Sequence, residues 1–279
     1  MKRIDLINIS NSDVKFEVTV FPDGEPHVKF LEDIDRKDEY EVFCRITNPS
    51  ELFVLMQVGD ILNRQGVVFK LVITYLMSQR MDRVVNFTEA FSLKIVADMI
   101  NSLGAKDVYI FEAHSNRTFD LIKNSHKYDP FGYSLPFGVT RYTLCYPDRG
   151  AYERYCNDSF AEVIILNKKR DLANYGKIIS IDVVSEPEHY VNDTIFIVDD
   201  LCDAGGTFVW SSKILREKYP NKKLGIFVRH LVNPIGLTNL VENFDYVVIT
   251  DSYRDWDEAK KYDNVKVVSC LLPRDRREK

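Results

Sequence analysis

Thr194-Ile-Phe-Ile-Val-Asp-Asp-Leu-Cys-Asp-Ala-Gly-Gly-Thr207 is the stretch that decides the fold. Its apolar start, 194–198, predicts a strand running into Asp199 and Asp200. A loop of small residues follows, with Asp203, Ala204, Gly205 and Gly206, and a helix is expected over 207–218. Open parallel sheets bind ligands beyond the carboxyl ends of their strands. The N–H groups of a loop entering a helix form a cradle for phosphate. The paired carboxylates can accept hydrogen bonds from adjacent hydroxyls, such as a ribose presents. The plainer alternative is a strand-to-helix turn in which Asp203 and Thr207 cap the helix. The full run of strand, acidic pair, third acid and paired glycines favours a loop that holds a sugar and its phosphate together.

Outward from this loop, short apolar runs alternate with helical periodicity. Residues 16–21 and 40–46 read as strands, and 50–63 as a helix with Leu52, Leu55, Met56, Val58 and Ile61 at helical spacing. The run 67–75 suits a strand buried on both faces. A helix over 88–103, with Phe91, Ile95, Met99 and Leu103 along one stripe, stops at Gly104, and 107–111 is the next strand. The pattern restarts with strands at 161–166, 178–184, 194–198 and 224–229, a short helix at 237–243, and strands at 246–250 and 265–271. Such alternation predicts an α/β protein with mainly parallel sheets covered by helices. The stretch 116–142, rich in Pro, Gly and Tyr, is the natural boundary, giving domains 1–138 and 139–279.

Composition narrows the function classes. The chain has 279 residues, enough for two domains, and its 45% hydrophobic and 28% charged content excludes wholesale disorder. A net charge of −5 argues against a nucleic-acid surface spread over the whole protein. The five cysteines are scattered and never spaced C-x-x-C, so a disulfide framework or zinc site is not expected, and a reducing cytoplasm fits. The polar start reads as no signal peptide, and no apolar run is long enough to span a membrane.

The acidic loop resembles the phosphoribosyl-diphosphate (PRPP) loop of type I phosphoribosyltransferases and PRPP synthetases. Five further segments, in order, resemble the ribose-phosphate pyrophosphokinase (PRPP synthetase) branch. They are Phe21-Pro-Asp-Gly-Glu25, Arg80-Met-Asp-Arg83 followed by Thr88-Glu-Ala-Phe-Ser92, Phe111-Glu-Ala-His114, Tyr146-Pro-Asp-Arg-Gly150 and Asn167-Lys-Lys-Arg170. Each has a bland reading: a β-turn at 21–25, a surface ion-pair cluster at 80–83, a capping histidine at 114, a solvated basic run at 168–170. Taken singly, Arg83 and Lys169 read as bland, whereas His114, Asp148 and the acidic loop read as functional.

The resemblance implies two tandem type I phosphoribosyltransferase-like domains. It also implies transfer of the β,γ-diphosphate of MgATP to an anomeric hydroxyl, with AMP leaving. On this reading Phe21 stacks on adenine, with Asp23 and Glu25 at its amino edge. Arg80 and Asp82 belong to the ATP site, His114 touches ATP and metal, and His114 with Asp148 holds Mg2+, Glu112 supporting it. Lys168 and Arg170 meet the charge on the transferred group, and Asp203 helps to activate the hydroxyl. The sugar phosphate takes Asp199, Asp200, Asp203, Ala204, Gly205, Gly206, Thr207 and Arg149. The family's adenine site is completed by a neighbouring subunit, so a homo-oligomer, at least a dimer, is implied.

Several positions depart from the family's pattern. The loop's first threonine is Ala204 and the following alanine is Gly205, which removes a hydroxyl donor and adds room. The paired glycines after the aspartate give way to Arg149, Gly150 and Ala151, and a glutamine to Met81. Against the family's pattern the segment between His114 and Asp148 reads as contracted, and the sequence reads as stopping soon after the last strand, without the family's closing helix. A roomier loop with an added arginine suits an acceptor that continues beyond its 5′-phosphate. ADP-ribose, the acceptor of a phage ADP-ribose pyrophosphate synthetase branch that rebuilds NAD+, is therefore expected alongside ribose 5-phosphate. A catalytically silent regulatory relative and a simple phosphoribosyltransferase are the alternatives. The retained acidic and basic set speaks against the first, and the second domain and adenine-type loop against the second.

Overall fold

The computed structural model describes residues 1–130, 137–155, 163–171, 177–188 and 191–271, with the backbone alone at 170–171 and 177–178. Two compact units divide the chain, Met1–Pro130 and Phe131–Arg274.

The first unit contains β1 (Lys2–Asp5), β2 (Phe16–Val20), β3 (Pro26–Phe30), β4 (Tyr40–Ile46), α1 (Pro49–Arg64), β5 (Phe69–Leu76), α2 (Ser92–Ser102), β6 (Val108–Phe111), α3 (Arg117–Leu121) and β7 (Ser125–Tyr128). Its sheet has the order β1-β4-β5-β6-β7 and every pairing in it is parallel. β5 has seven of its eight residues buried, as its unbroken apolar run predicts. Asn48 caps α1 by accepting the Glu51 N–H at 3.1 Å, Pro49 opens it, and Glu51 reaches back to the Thr47 N–H at 2.6 Å. Leu55, Val58 and Leu62 of α1 are fully buried in a core shared with Leu71 and Ile73 of β5 and Ile100 of α2. Each such side chain contributes roughly 1.5–3 kcal/mol on leaving water. β2 and β3 form a separate antiparallel hairpin, held to α1 by Gln57, which accepts the Val28 N–H and donates to the Pro26 carbonyl.

The second unit contains β8 (Thr143–Tyr146), α4 (Arg149–Tyr155), β9 (Ile164–Asp171), β10 (Lys177–Ser185), β11 (Thr194–Cys202), α5 (Gly206–Lys218), β12 (Lys223–Leu231), α6 (Pro234–Asn243), β13 (Tyr246–Thr250) and β14 (Val265–Val268). The sheet order is β10-β9-β8-β11-β12-β13-β14, parallel except for the β9–β10 pair. Both units are thus mainly parallel sheets flanked by helices, the α/β class read from the sequence.

Several local expectations need correction. The helix expected from 88 begins only at Ser92, after Phe91 in a non-helical conformation. Its buried stripe is Leu93, Val96, Ala97 and Ile100, whereas Ile95 is 57% exposed. β11 continues through Asp199 and Asp200 to Cys202, so the acidic pair belongs to the strand end. Asn167-Lys-Lys-Arg170, which continues the run 161–166 read as a strand, lies within β9. Part of the boundary stretch is ordered as α3 and β7.

Candidate active site

β8 lies between β9 and β11, and all three run in the same direction. Their carboxyl ends therefore open on one edge of the sheet. Pairing of Cys145 with Ile197 and with Ile164, carried a few residues further, brings Asp148, Lys168, Asp199 and Asp200 to that edge. Lys168 Nζ lies 2.5 Å from Asp148 Oδ2. Asp148 Oδ1 also accepts the Ala151 N–H at 2.9 Å, which fixes the start of α4. Burial acts to raise the Asp148 pKa, but the hydrogen bond and charge of Lys168 outweigh it and hold the carboxyl below its ordinary range. Asp199 goes the other way. Burial first, then its neighbours Asp200 and Asp148, push its carboxyl well above the usual value. Arg154 of α4 relieves part of this crowding: its Nη1 lies 2.6 Å from Asp200 Oδ1 and 3.7 Å from Asp199 Oδ1.

Beyond Cys202 the chain turns at Gly205, whose φ of +82° is the left-handed region that favours glycine. Gly205 is the N-cap of α5 and no side chain caps that helix, so neither Asp203 nor Thr207 plays the capping part. The first N–H groups of α5 lack partners within their own helix. The loop is instead braced by α6. Asn233 donates to Asp203 Oδ1 at 3.0 Å, and Asn239 donates to the Ala204 carbonyl at 2.7 Å. Gly236 lies so close that an added Cβ would overlap the Asp203 carbonyl oxygen. Asp203, Ala204 and Gly206 are exposed, and a Cβ on Gly206 would meet nothing within 4 Å. Arg149 points outward, its side chain 86% exposed and tied to Glu153 at 3.1 Å. Lys169 is likewise at the surface, 3.5 Å from Asp182. Arg170 lies in β9, and its side chain is outside the described residues.

In the first unit, Arg80 and Asp82 follow β5 and His114 follows β6, at the carboxyl ends of adjacent parallel strands. Buried Gln79 accepts the His114 N–H at 3.1 Å. Glu112, between β6 and His114, has a φ of +46°. Asp82 is buried and meets Arg83 through two contacts, at 2.7 and 2.8 Å. The Arg83 hydrogen bond holds its pKa at about 2 against the upward push of burial, helped by Ser115 and by the charge of His114. An open groove of about 630 Å3 is lined by Asp82, Arg83, Phe91, Ser115 and Arg117, among others. The Phe21–Glu25 turn closes with the Phe21 N–H donating to the Glu25 carbonyl at 2.9 Å, and Asp23 accepts the Glu25 N–H at 3.1 Å. Phe21 is 46% exposed at the hairpin tip and stacks on His27 at 6.1 Å.

The structure therefore gathers Asp148, Lys168, Asp199 and Asp200 in one unit, and Arg80, Asp82 and His114 along one sheet edge in the other. His114 and Asp148, the expected metal pair, belong to different units. Among the described residues no group of three or more His, Cys, Asp or Glu side chains has metal-binding geometry. Arg154, Asn233, Gly236 and Asn239 have places at the site that were not read from the sequence.

Two α/β units in tandem, each with polar side chains at the carboxyl edge of a mainly parallel sheet, and one ending an acidic strand in a glycine turn, define a pair of type I phosphoribosyltransferase-like domains. Within that class the chain is similar to the ribose-phosphate pyrophosphokinases. It is 27% identical over 254 residues to the ribose-phosphate pyrophosphokinase of Mycoplasma genitalium, covering 87% of this chain and 74% of that protein. It is 27% identical over 255 residues to that of Pyrococcus furiosus, covering 85% of each. The solved phosphoribosylpyrophosphate synthetase of Mycobacterium smegmatis matches with a TM-score of 0.70 at 19% identity, over 93% of this chain and 87% of that one, a likeness of fold. No protein-family model matches the chain.

Proposed function

We propose that the chain transfers the β,γ-diphosphate of MgATP to the anomeric hydroxyl of a phosphoribosyl acceptor, ribose 5-phosphate first of all, and releases AMP. The observation that carries this reading is the meeting of Asp148, Lys168, Asp199 and Asp200, drawn from three separated sequence motifs, at one sheet edge. Asp199 and Asp200 receive the acceptor's ring hydroxyls, and the N–H groups at the start of α5 receive its 5′-phosphate. The anomeric oxygen forms a bond to the β-phosphorus. The bond from that phosphorus to the oxygen bridging it to the α-phosphate breaks, and AMP leaves with that oxygen. Asp203, exposed and oriented by Asn233, takes the hydroxyl proton. Lys168 and Arg170 meet the charge that builds on the transferred group. Phe21, Asp23, Glu25, Arg80 and Asp82 serve the nucleotide.

Magnesium suits this donor set. Carboxylates crowded enough to raise the Asp199 pKa form an excess of negative charge that a hard cation relieves. By the resemblance, Asp148 in the second unit and His114 in the first are each proposed as a magnesium ligand, with nucleotide phosphates completing the shell, since Mg2+ is ordinarily bound by one or two carboxylates plus substrate phosphates. Bound there, it would neutralise phosphate charge. The protein is expected to work as a homo-oligomer of at least two copies.

ADP-ribose is a second reading of the acceptor, favoured by the exposed Ala204 and the open space over Gly206. AMP release from MgATP, measured with ribose 5-phosphate and with ADP-ribose in separate reactions, decides between them. A catalytically silent chain yields AMP with neither.

A further inference from the structure

We propose that Arg154 is the positioning residue of the acceptor site, the group that fixes how Asp199 and Asp200 stand relative to each other. This rests on the reading that the pair receives the acceptor's hydroxyls. Two arginines lie on α4, five positions apart, which turns them about 140° from one another around the helix. Arg149 faces solvent. Arg154 turns inward, its side chain 21% exposed, and a single Nη1 lies 2.6 Å from Oδ1 of Asp200 and 3.7 Å from Oδ1 of Asp199.

Asp199 Oδ1 also accepts the Asp200 N–H at 2.9 Å, with the guanidinium 3.7 Å from the same oxygen. Two neighbouring carboxylates in a buried place repel, and without a cation between them they swing apart or share a proton. Either outcome spoils a receptor for two adjacent hydroxyls. The groups facing the pair include Arg154 from α4 and Asp148 ahead of α4, with Lys168 of β9 joined to Asp148. Arg154 is thus a cation close to both carboxylates of the pair, while Lys168 serves the neighbouring aspartate. On this reading Arg154 acts through the two carboxylates rather than on the reacting atoms. A lysine at this position keeps the charge but lacks the planar fork, so it should restore the function in part.

The test uses full-length R154Q, R154K, D200N and the R154Q/D200N double variant, each checked for fold by circular dichroism. Initial rates of AMP release are measured while ribose 5-phosphate, or ADP-ribose if that is the acceptor the wild type uses, is varied at saturating MgATP, and the reverse. R154Q is expected to raise the acceptor KM about tenfold or more, with the MgATP KM changed less than about twofold. R154K should fall between R154Q and wild type, and the double variant should be little worse than D200N alone, because the two residues act as one unit. Equal changes in both KM values, or additive losses in the double variant, would overturn the inference while leaving the proposed function standing. Should R154Q not fold, R154K with an unaltered acceptor KM would overturn it equally. A wild type that releases AMP with neither acceptor would overturn both.

Discussion

Asp148 and Asp82 are each kept ionised by a neighbouring cation, with different consequences. For Asp82 the folded pKa is about 2, below that of an unfolded aspartate near 3.9. Its contribution to stability is therefore fully present above about pH 4 and is lost as the pH falls through about 2. The stability difference between wild type and D82N, from urea midpoints at a series of pH values, should be constant near neutrality and shrink toward pH 2. A difference that grows on acidification would contradict the Asp82–Arg83 assignment. Lys168→Met should lower kcat by about 10²–10³ through loss of the cation that meets the transferred group. Gly236→Ala must displace backbone, since the overlap is with a carbonyl oxygen, and should cost about 1–3 kcal/mol in urea unfolding and weaken acceptor binding. The acidic pair, Asp148 and Lys168 were legible because they sit in compact motifs. Arg154, Asn233 and Asn239 were not, because an arginine in the last turn of a short helix or an asparagine at the cap or in the interior of a helix looks the same whether or not tertiary folding brings it to a loop.

At the scale of elements, long strands and helices announce themselves by unbroken burial or by period. β4 and β13 coincide with the runs read from the sequence, and β5 differs from its run only at the ends. β1, β7 and β8, of four residues each, carry too few positions for a pattern, and β8 nevertheless holds the centre of the site. α2 was assigned its stripe one position out of phase, because Phe91 and Ile95 are apolar but face outward or precede the helix. Two substitutions check the corrected face. Ile100→Ala should cost about 2–5 kcal/mol in urea unfolding, whereas Ile95→Ala should stay within about 0.5 kcal/mol. The reverse order would restore the original stripe. The lysines of β9 illustrate the same limit, since alternation along a strand sends Lys168 to Asp148 and Lys169 to the surface pair with Asp182.

For the whole molecule, the tandem arrangement was legible as a pattern of alternating elements that stops and restarts, and the comparisons extend the resemblance over most of the chain. Among the described residues no helix is long and apolar enough to cross a membrane. Light scattering on an active preparation should give a mass at least twice the 32.5 kDa of one chain. The most direct measurement is the nucleotide product formed from MgATP as acceptor is added. Diphosphate transfer predicts AMP that rises with ribose 5-phosphate or ADP-ribose, one molecule for each molecule of acceptor carrying a new anomeric diphosphate. ADP in place of AMP, or AMP no greater than in the acceptor-free reaction, would contradict it.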